Sequence, residues 1–253
     1  MSRSSCQFRR VAAALVWWAG LSASIAHAAV VVDGTRVIYG AQDREVSVRL
    51  TNENTVPALV QVWVDAGDEL AAPEEADVPF ALVPPIFRMG PGRSQVVRLR
   101  YTREPLPLDR ETLYWFNALE VPSGSAGGKD DSALQLAFRT RLKLIFRPVA
   151  LSGGAATAFK QLKWTWVTDG DGAGAALQVF NPSPYYVNFA RIGLKIDGYG
   201  KLNEGGMVAP RDQATFRLNE RRLPDQLGDT VKVSFDVIDD YGAVWEKEAD
   251  LSR

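Results

Sequence analysis

One stretch of fifteen residues, LQLAFRTRLKLIFRP from Leu134 to Pro148, constrains the fold more than any other part of the chain. Apolar side chains on one parity alternate with polar ones on the other, which predicts a β-strand. The apolar parity holds Leu134, Leu136, Phe138, Leu142, Leu144 and Phe146, and the polar parity holds Gln135, Arg139, Arg141 and Lys143. At about 3.3 Å per residue such a strand spans roughly 50 Å, far more than an ordinary strand. Three uses of this length remain open: a barrel wall, a core strand shared by two domains, or a strand offered to a partner.

The first 28 residues have the three parts of a cleaved secretory signal. Three arginines within the first ten residues precede an apolar run from Val11 to Ile25, and Ala26-His27-Ala28 supplies small residues for cleavage. We expect cleavage after Ala28 and export from the cytoplasm. A membrane anchor is the alternative, but the run is shorter than the ~20 residues that a membrane-spanning helix needs. No later stretch is long enough either, so we expect no stable membrane insertion.

Removal of this signal changes the chemistry available to the chain. The only cysteine, Cys6, and the only histidine, His27, leave with it, and 29 basic against 30 acidic side chains become 26 against 30. The remainder therefore has no Ser-His or Cys-His pair, no thiolate or imidazole ligand for zinc, and no disulfide. Its acidic balance argues against non-specific binding of nucleic acid. These losses exclude whole classes of enzyme, so we expect no enzyme, metal, cofactor or nucleotide, and a secreted hydrolase that uses two carboxylates is the alternative.

From Ala29 onward the sequence consists of short β-runs separated by turn residues, which is typical of an all-β sandwich. About six such runs precede the long strand, which would then be the seventh strand of an immunoglobulin-like domain. Alternation in LVQVWVD assigns Val60, Val62 and Val64 to one face, and we expect Val62 and its neighbours to lie in the core. Within VPPIF, Pro84-Pro85 is a plausible site for a cis peptide bond, but the base rate of about 5% for cis X-Pro bonds favours a trans extended turn.

A second β-domain follows the long strand. The small residues of LSGGAATA (151–158) predict a pliable hinge, and strand-like runs resume at KWTWVTD. In VKVSFDVID, Val231, Val233, Phe235 and Val237 share one parity. We therefore divide the chain into a signal peptide (1–28), a first domain (29–149) that carries the long strand, and a second domain (150–253).

Few residues suggest chemistry by themselves. Asp239-Asp240 and Glu74-Glu75 could supply a pair of carboxylates to a secreted hydrolase, but neighbouring acids are common in hairpin turns and polar loops. In GTRVIYG, Arg36 lies on the face opposite Val37 and Tyr39, and Lys143 lies on the polar face of the long strand. By alternation alone each cation is a solvated strand charge. If the two met in a cleft, they would form a carboxylate site instead.

Six motifs, in the same order, resemble the periplasmic chaperones of the chaperone-usher pilus pathway. They are TRVIYG (35–40), PPIFRMGPGRSQVVRL (84–99), LDRETLYWFNALEVP (108–122), the long strand itself, NPSPYYVN (181–188) and IDDYGA (238–243). Together they are distributed along nearly the whole length of residues 29 to 245. The resemblance implies two immunoglobulin-like β-sandwich domains arranged as a boomerang with an interdomain cleft.

The resemblance also implies a function and a set of residues for it. Such a chaperone binds, folds and caps pilus subunits by donor-strand complementation and delivers them to an outer-membrane usher. Arg36 and Lys143 would bind the C-terminal carboxylate of the subunit in the cleft. The donated row would be Leu134, Leu136 and Phe138, inserted into a subunit that lacks its last strand. An interdomain ion network would join Glu111, Arg147 and Asp240.

Several points stay open at this stage. The loop from Ser123 to Ala133 is short, as in the branch of the family that builds rod-like pili. Self-association, in which one copy caps the exposed strand of another, is a further state of the free chaperone. A structural or adhesive fibre protein is an alternative function, although the strands begin almost directly after the predicted signal. The subunit and the usher are not specified by the sequence.

Overall fold

The computed structural model describes residues 30–70, 72–122, 136–168, 175–196, 199–218 and 231–252. Regular structure in these ranges is β-strand apart from 3-10 helices at Pro73–Glu75 and Ala155–Gln161, so the predicted all-β class is confirmed. None of the helices in these ranges is long and apolar enough to cross a membrane. The strands are β1 (Val30–Val32), β2 (Arg36–Gly40), β3 (Val46–Asn52), β4 (Ala58–Asp65), β5 (Phe80–Val83), β6 (Ile86–Met89), β7 (Ser94–Tyr101), β8 (Thr112–Pro122), β9 (Phe138–Arg147), β10 (Lys163–Thr168), β11 (Ala175–Phe180), β12 (Val187–Ile196), β13 (Tyr199–Val208), β14 (Gln213–Leu218), β15 (Lys232–Ile238) and β16 (Val244–Ser252).

Strands β1 to β9 form a sandwich of two sheets around one hydrophobic core. Their hydrogen-bonded orders are β1-β3-β7-β5 and β2-β9-β8-β4-β6. The three valines predicted to share a face, Val60, Val62 and Val64, are all buried in this core. Tyr39 and Phe146, which are register partners on β2 and β9, stack within it with their ring centroids 6.1 Å apart. Alternation therefore predicted the inner faces of these strands correctly.

The predicted strand count was too low, because single β-runs divide between the two sheets. The first run splits into β1, which pairs with β3, and β2, which pairs with β9. The run around Pro84-Pro85 splits into β5, which pairs with β7, and β6, which pairs with β4. In the described part of the chain, eight strands thus precede β9 rather than six. The Val83–Pro84 bond is cis, so the trans expectation was wrong, because a base rate carries no information about the tertiary setting of one bond.

The long strand is shorter than predicted: β9 begins at Phe138 instead of Leu134. Its ladder with β8 ends at the pair Glu120↔Phe138, although β8 continues to Pro122 and pairs there with β4. Leu134 lies outside the described residues. Along the predicted apolar row, Leu144 is buried in the core, but Leu136 and Phe138 are 54% and 55% exposed. One parity therefore changes from core to surface along a single strand.

The second domain contains β10 to β16 in the order β13-β12-β15-β16-β10-β11-β14. Its core includes Val231, Val233 and Phe235, and Val237 packs against it, as the alternation predicted. The predicted hinge is not pliable throughout, because its alanines enter the 3-10 helix Ala155–Gln161 and Ala158 is fully buried in this core. The second sandwich therefore begins within the stretch that composition alone assigned to a hinge.

Candidate functional site

Arg36 and Lys143 lie next to each other at the edge of the five-stranded sheet. Strands β2 and β9 pair in parallel, and Arg36 is the register partner of Lys143. Register partners project from the same face of a sheet, and the neighbouring positions Val37 and Leu144 are buried on the opposite, core-facing side. Both cations therefore extend from the outer face, where the sequence had placed each of them separately.

The second domain contacts both cations. Lys143 Nζ donates a hydrogen bond to Asn188 Oδ1 at 2.6 Å, and Arg36 Nη1 donates to the carbonyl oxygen of Ile238 at 3.4 Å. Asn188 on β12 and Ile238 on β15 are themselves register partners. The two cations thus lie between the domains, where a pair of strands from the second domain faces a pair of strands from the first.

This environment removes water from the cations without supplying a counter-charge in direct contact. Neither Arg36 nor Lys143 forms an ion pair with another described residue. Burial, together with the positive charge of Arg36, lowers the pKa of Lys143 to about 8. Burial also lowers the pKa of Arg36, although the charges of Asp240 and Asp239 oppose that shift.

Arg36 has spare hydrogen-bonding capacity as well, since its buried Nε has no hydrogen-bond partner within the described ranges. A buried donor without a partner costs roughly 1–3 kcal/mol. An anion with two oxygens would accept hydrogen bonds from both cations and relieve their mutual repulsion. The chemistry of the pair is therefore that of a carboxylate site.

Arg147, at the end of β9, connects the two domains. Its Nε donates to Glu111 Oε1 at 2.5 Å, and its Nη1 and Nη2 donate to Asp240 Oδ2 and Oδ1 at 2.7 and 2.9 Å. The other oxygen of Glu111, Oε2, accepts the backbone N–H of Tyr186 at 2.7 Å. Glu111 precedes β8 in the first domain, whereas Tyr186 and Asp240 belong to the second. The structure thus brings together the three residues named for the ion network.

Burial and the partner charges act in opposite directions on the pKa values of this network. Glu111 is only 3% exposed, and its burial raises its pKa even though Arg147 opposes the shift. Burial acts to lower the pKa of Arg147, but the hydrogen bonds and charges of Asp240 and Glu111 raise it above its ordinary value. The cost of burying Glu111 is therefore offset by a cation that stays charged.

The turn between β15 and β16 packs closely against the first domain. Gly242 has φ +88°, and a Cβ atom at this position would lie 2.5 Å from Thr35 Oγ1, next to Arg36. Asp239 caps the same turn. Its Oδ1 accepts hydrogen bonds from the backbone N–H groups of Tyr241 and Ala243, and its Oδ2 accepts one from Trp245 Nε1. Glycine is needed here both for its backbone conformation and for the close approach.

These contacts bear on the hydrolase alternative. Asp239 and Asp240 border a cavity of about 470 Å³ in the second domain. Their carboxylate oxygens are already hydrogen-bonded, those of Asp239 within the turn and those of Asp240 to Arg147. No group of three or more metal-ligating side chains occurs among the described residues. The two carboxylates thus have structural partners, Asp239 in the hairpin turn and Asp240 in the contact with Arg147.

Half of β9 has an unpaired edge. Strand β8 pairs with β9 from Phe138 to Phe146, but β2 pairs with it only from Lys143 to Arg147. From Phe138 to Leu142 the other edge of β9 has no strand partner among the described residues. The exposed side chains of Leu136 and Phe138 lie at the same end. An open edge next to exposed apolar side chains is the geometry that strand addition uses.

Sequence reasoning missed the contribution of the second domain to the cation site. Asn188 ends the motif NPSPYYVN, and alternation with the buried Val187 and Phe189 would have placed its side chain on the outer face of β12. Nothing in a single sequence indicated that this face meets Lys143. The contact of Arg36 with the Ile238 carbonyl could not be predicted either, since a backbone acceptor leaves no signal in residue type.

Comparison with known proteins identifies relatives along most of the chain. Residues 29–152 match the family model described as pili and flagellar-assembly chaperone, PapD N-terminal domain, and residues 157–249 match the model of the PapD C-terminal domain. The probable fimbrial chaperone YadV of Escherichia coli K12 is 41% identical over 233 residues, covering 91% of this chain and 92% of that protein.

Solved structures agree with this result. The crystal structure of the YadV chaperone has a TM-score of 0.74 and 39% sequence identity, covering 88% of this chain and all of that one. The SafB chaperone, solved in complex with the SafA pilin of Salmonella enterica, has a TM-score of 0.69 and 29% identity, covering 88% of this chain and 96% of that one. This chain therefore shares its fold of two β-sandwich domains with these chaperones along nearly its whole length.

Proposed function

Because this chain belongs to the family of pili- and flagellar-assembly chaperones, we propose that it captures pilus subunits with the cation pair Arg36–Lys143 and the open edge of β9. The chain is a fimbrial chaperone and not a structural component of the fibre, since both of its domains and its relatives are those of chaperones. A relative of the same fold has been solved with a pilin bound, which supports pilus subunits as the partners of this chain.

The cation pair would bind the C-terminal carboxylate of the subunit. Arg36 and Lys143 project side by side from one face and have no ionic partner among the described residues. The hydrogen bonds that they donate to acceptors of the second domain hold their side chains in the cleft. This pairing is the single observation that carries the proposal, because adjacent and partly buried cations are costly unless an anion binds there.

Strand addition would supply most of the affinity. The strand of the subunit that ends in this carboxylate would pair with the free edge of β9, and Leu134, Leu136 and Phe138 would enter the incomplete core of the subunit. Each backbone hydrogen bond contributes about 0.5–1.5 kcal/mol net, whereas apolar burial contributes about 25 cal/mol per Å², so the apolar row dominates. Anchoring of the carboxylate fixes the register, since a slip of one residue turns the row away from the groove.

The network of Glu111, Arg147 and Asp240 would set the angle between the domains. Arg147 ends the strand that carries Lys143, and Asp240 follows the strand whose Ile238 carbonyl accepts from Arg36. A change in this angle would therefore move the second-domain partners of both cations. We assign the network an orienting role, in which the bidentate Arg147–Asp240 pair keeps the cleft in its binding geometry.

The remaining assignments follow from the family. We place the mature protein in the periplasm after cleavage behind Ala28, with a first domain at 29–149 and a second at 150–253. It would deliver bound subunits to an outer-membrane usher without a cofactor or a nucleotide. Capping of one copy by another would protect the open edge of β9 in the absence of a subunit.

Co-expression with a pilus subunit encoded beside the chaperone gene tests this function directly. The wild type should co-purify with the subunit as a soluble one-to-one complex. Arg36→Ala and Lys143→Ala should remain folded by circular dichroism and lose the subunit. Lys195→Ala is the matched control, since Lys195 is a second-domain lysine whose partner is the exposed Glu248. Normal recovery of the subunit with both cleft variants would rule the proposal out.

A further inference from the structure

A compact polar and aromatic cluster covers the outer face of the five-stranded sheet beside the cation site. We call it the Asp65 cluster, and its members lie on β4, β8 and β9. They are Trp63, Asp65, Trp115, Asn117, Arg139 and Arg141. In the ladder, Asp65 pairs with Trp115, and Trp115 pairs with Lys143, so the cluster begins on the same cross-strand row as the anchoring lysine.

Asp65 is the centre of these contacts. Its side chain is 1% exposed and accepts hydrogen bonds from Arg141 Nη2 at 2.6 Å and from Asn117 Nδ2 at 2.8 Å. Arg139 Nη2 lies 3.4 Å from the same carboxylate, and Arg139 Nε donates to Asn117 Oδ1 at 3.0 Å. The two arginines of β9 are thus tied to a strand that is not its neighbour in the sheet.

Two tryptophans complete the cluster. The guanidinium of Arg141 lies 4.2 Å from the ring centroid of Trp115, and that of Arg139 lies 4.8 Å from the ring centroid of Trp63. Cation–π contacts of this kind contribute about 0.5–2 kcal/mol each, with the larger values at desolvated sites. The stacking also fixes the planes of both guanidinium groups above the sheet.

Asp65 remains an anion in this setting. Burial alone would raise its pKa, but the hydrogen bonds from Arg141, Asn117 and the N–H of Gly67 outweigh burial and hold the pKa below its ordinary value. A buried carboxylate with two arginine partners therefore persists at neutral pH. Such a group is expensive to bury and contributes little net stability compared with apolar packing, so a role other than stability is worth testing.

The segment that these arginines belong to is the one with an open edge. From Phe138 to Leu142, β9 has backbone pairing on one side only, from β8. A strand paired on one side frays easily, because fixing each residue costs about 1–2 kcal/mol of backbone entropy and only one ladder opposes it. A strand that must add to a partner binds more tightly if its shape is already fixed.

We propose that the Asp65 cluster is a positioning device that holds the open half of β9 extended and in register with Lys143 before a subunit arrives. It acts through Arg139 and Arg141, whose side chains clamp the strand to β4 across β8. The inference rests on the proposed function, because it assigns a purpose to the order of β9. Asp65 does not contact the subunit in this account, and its contribution is to lower the ordering cost of capture.

Hydrogen exchange on the free protein tests, without any subunit, whether the Asp65 cluster keeps the open half of β9 ordered. In Asp65→Ala, those backbone amides of residues 138–142 that donate to β8 should exchange faster by about tenfold or more, whereas the ladder amides of β3 and β7 should keep their protection. Asp236→Ala is the matched control, since Asp236 is a buried carboxylate paired with Arg191 at 2.6 Å on the second domain. Arg139→Gln is a milder variant for use if Asp65→Ala fails to fold, and it should accelerate exchange at the same amides.

Capture of the pilus subunit that is encoded beside the chaperone gene tests whether this order of β9 lowers the cost of binding. Asp65→Ala or Arg139→Gln should slow association by about tenfold, with little change for Asp236→Ala, because only the first two disorder β9. Unchanged exchange at residues 138–142, or unchanged association, would overturn the proposal. If the wild type itself fails to capture the subunit, the proposed function fails instead, and the exchange experiment still decides whether the cluster orders the strand.

Discussion

Arg36 and Lys143 are register partners on adjacent parallel strands, so backbone pairing of β2 with β9 holds two positive charges side by side at the domain boundary. The fold maintains this arrangement against desolvation and repulsion, since burial and, to a smaller extent, the charge of Arg36 lower the pKa of Lys143. Asn188 and the Ile238 carbonyl orient the two side chains with neutral acceptors and leave their charge uncompensated by direct contact. The site is therefore preorganised for an anion. The charge of the cation pair, the open edge of β9 and the angle between the domains can each be tested.

The first prediction concerns pH. With its pKa near 8, Lys143 is charged below pH 8 and becomes neutral above it, so capture of a carboxylate should weaken as pH rises from 8 to 10. The decline should be at most about tenfold per pH unit, as expected for one coupled proton. Affinity for the pilus subunit measured from pH 6.5 to 9.5 checks this. Lys143→Arg, which stays charged, should show a flat profile, and a wild type with the same flat profile would contradict the assignment.

The folding stability of the free chaperone should follow the opposite trend. The pKa of Lys143 is below its unfolded value, so its protonated form destabilises the native state at pH values under 8. That penalty is relieved as pH rises from about 8 toward 10.5. Urea unfolding of the wild type and of Lys143→Met across this range isolates the effect. The contribution of Lys143 should increase the free energy of unfolding with pH, and Lys143→Met should lack that increase.

A third prediction concerns the interdomain network. Arg147→Met leaves the buried Glu111 without a cation and should lower the free energy of unfolding by about 3–5 kcal/mol. Asp240→Asn should lower the free energy of unfolding by less, because Asp240 is partly exposed. It should nevertheless change the angle between the domains, because it breaks the bidentate pair with Arg147. Urea unfolding measures the first effect, and small-angle scattering measures the second. Identical scattering curves for Asp240→Asn and the wild type would argue against the orienting role.

The fourth prediction separates the two halves of one apolar row. Phe138→Ser should leave stability within about 0.5 kcal/mol of the wild type, because Phe138 is more than half exposed, yet it should weaken subunit capture. Leu144 is on the same parity of β9 but is fully buried, so Leu144→Ala should lower the free energy of unfolding by about 2–5 kcal/mol. Thermal unfolding and subunit pull-down of both variants test this division. Unimpaired capture by Phe138→Ser would remove that residue from the donated row.

Strand alternation was sufficient to predict the inner faces of the fold. Val60 and Val62 in one domain and Val233 and Phe235 in the other are buried as their parity requires. The ends of elements were harder, because β9 begins where its ladder with β8 begins, and the extent of a ladder is not visible in the sequence of the strand itself. The split of one run into β5 and β6 likewise depends on which sheet each part joins.

The site could be predicted only in part for a related reason. Residue type and position marked Arg36 and Lys143 as cations on outer faces, and the family resemblance put them together. Their partners Asn188 and Ile238, about 45 and 200 residues away in sequence, depend on the packing of two domains. The Asp65 cluster could not be predicted for the same reason, since alternation places Arg139 and Arg141 on the polar parity of the long strand but does not indicate that Asp65, on β4, meets them.

The most direct test of the central claim compares two peptides with the sequence of the last strand of the subunit, one ending in a free carboxylate and the other in an amide. The wild-type chaperone should bind the carboxylate peptide at least about tenfold more tightly, in line with the roughly 1.5–3 kcal/mol of a charge-assisted hydrogen bond. Arg36→Ala and Lys143→Ala should bind both peptides equally weakly. Equal affinity of the wild type for the two peptides would contradict the claim that this cation pair anchors a C-terminal carboxylate.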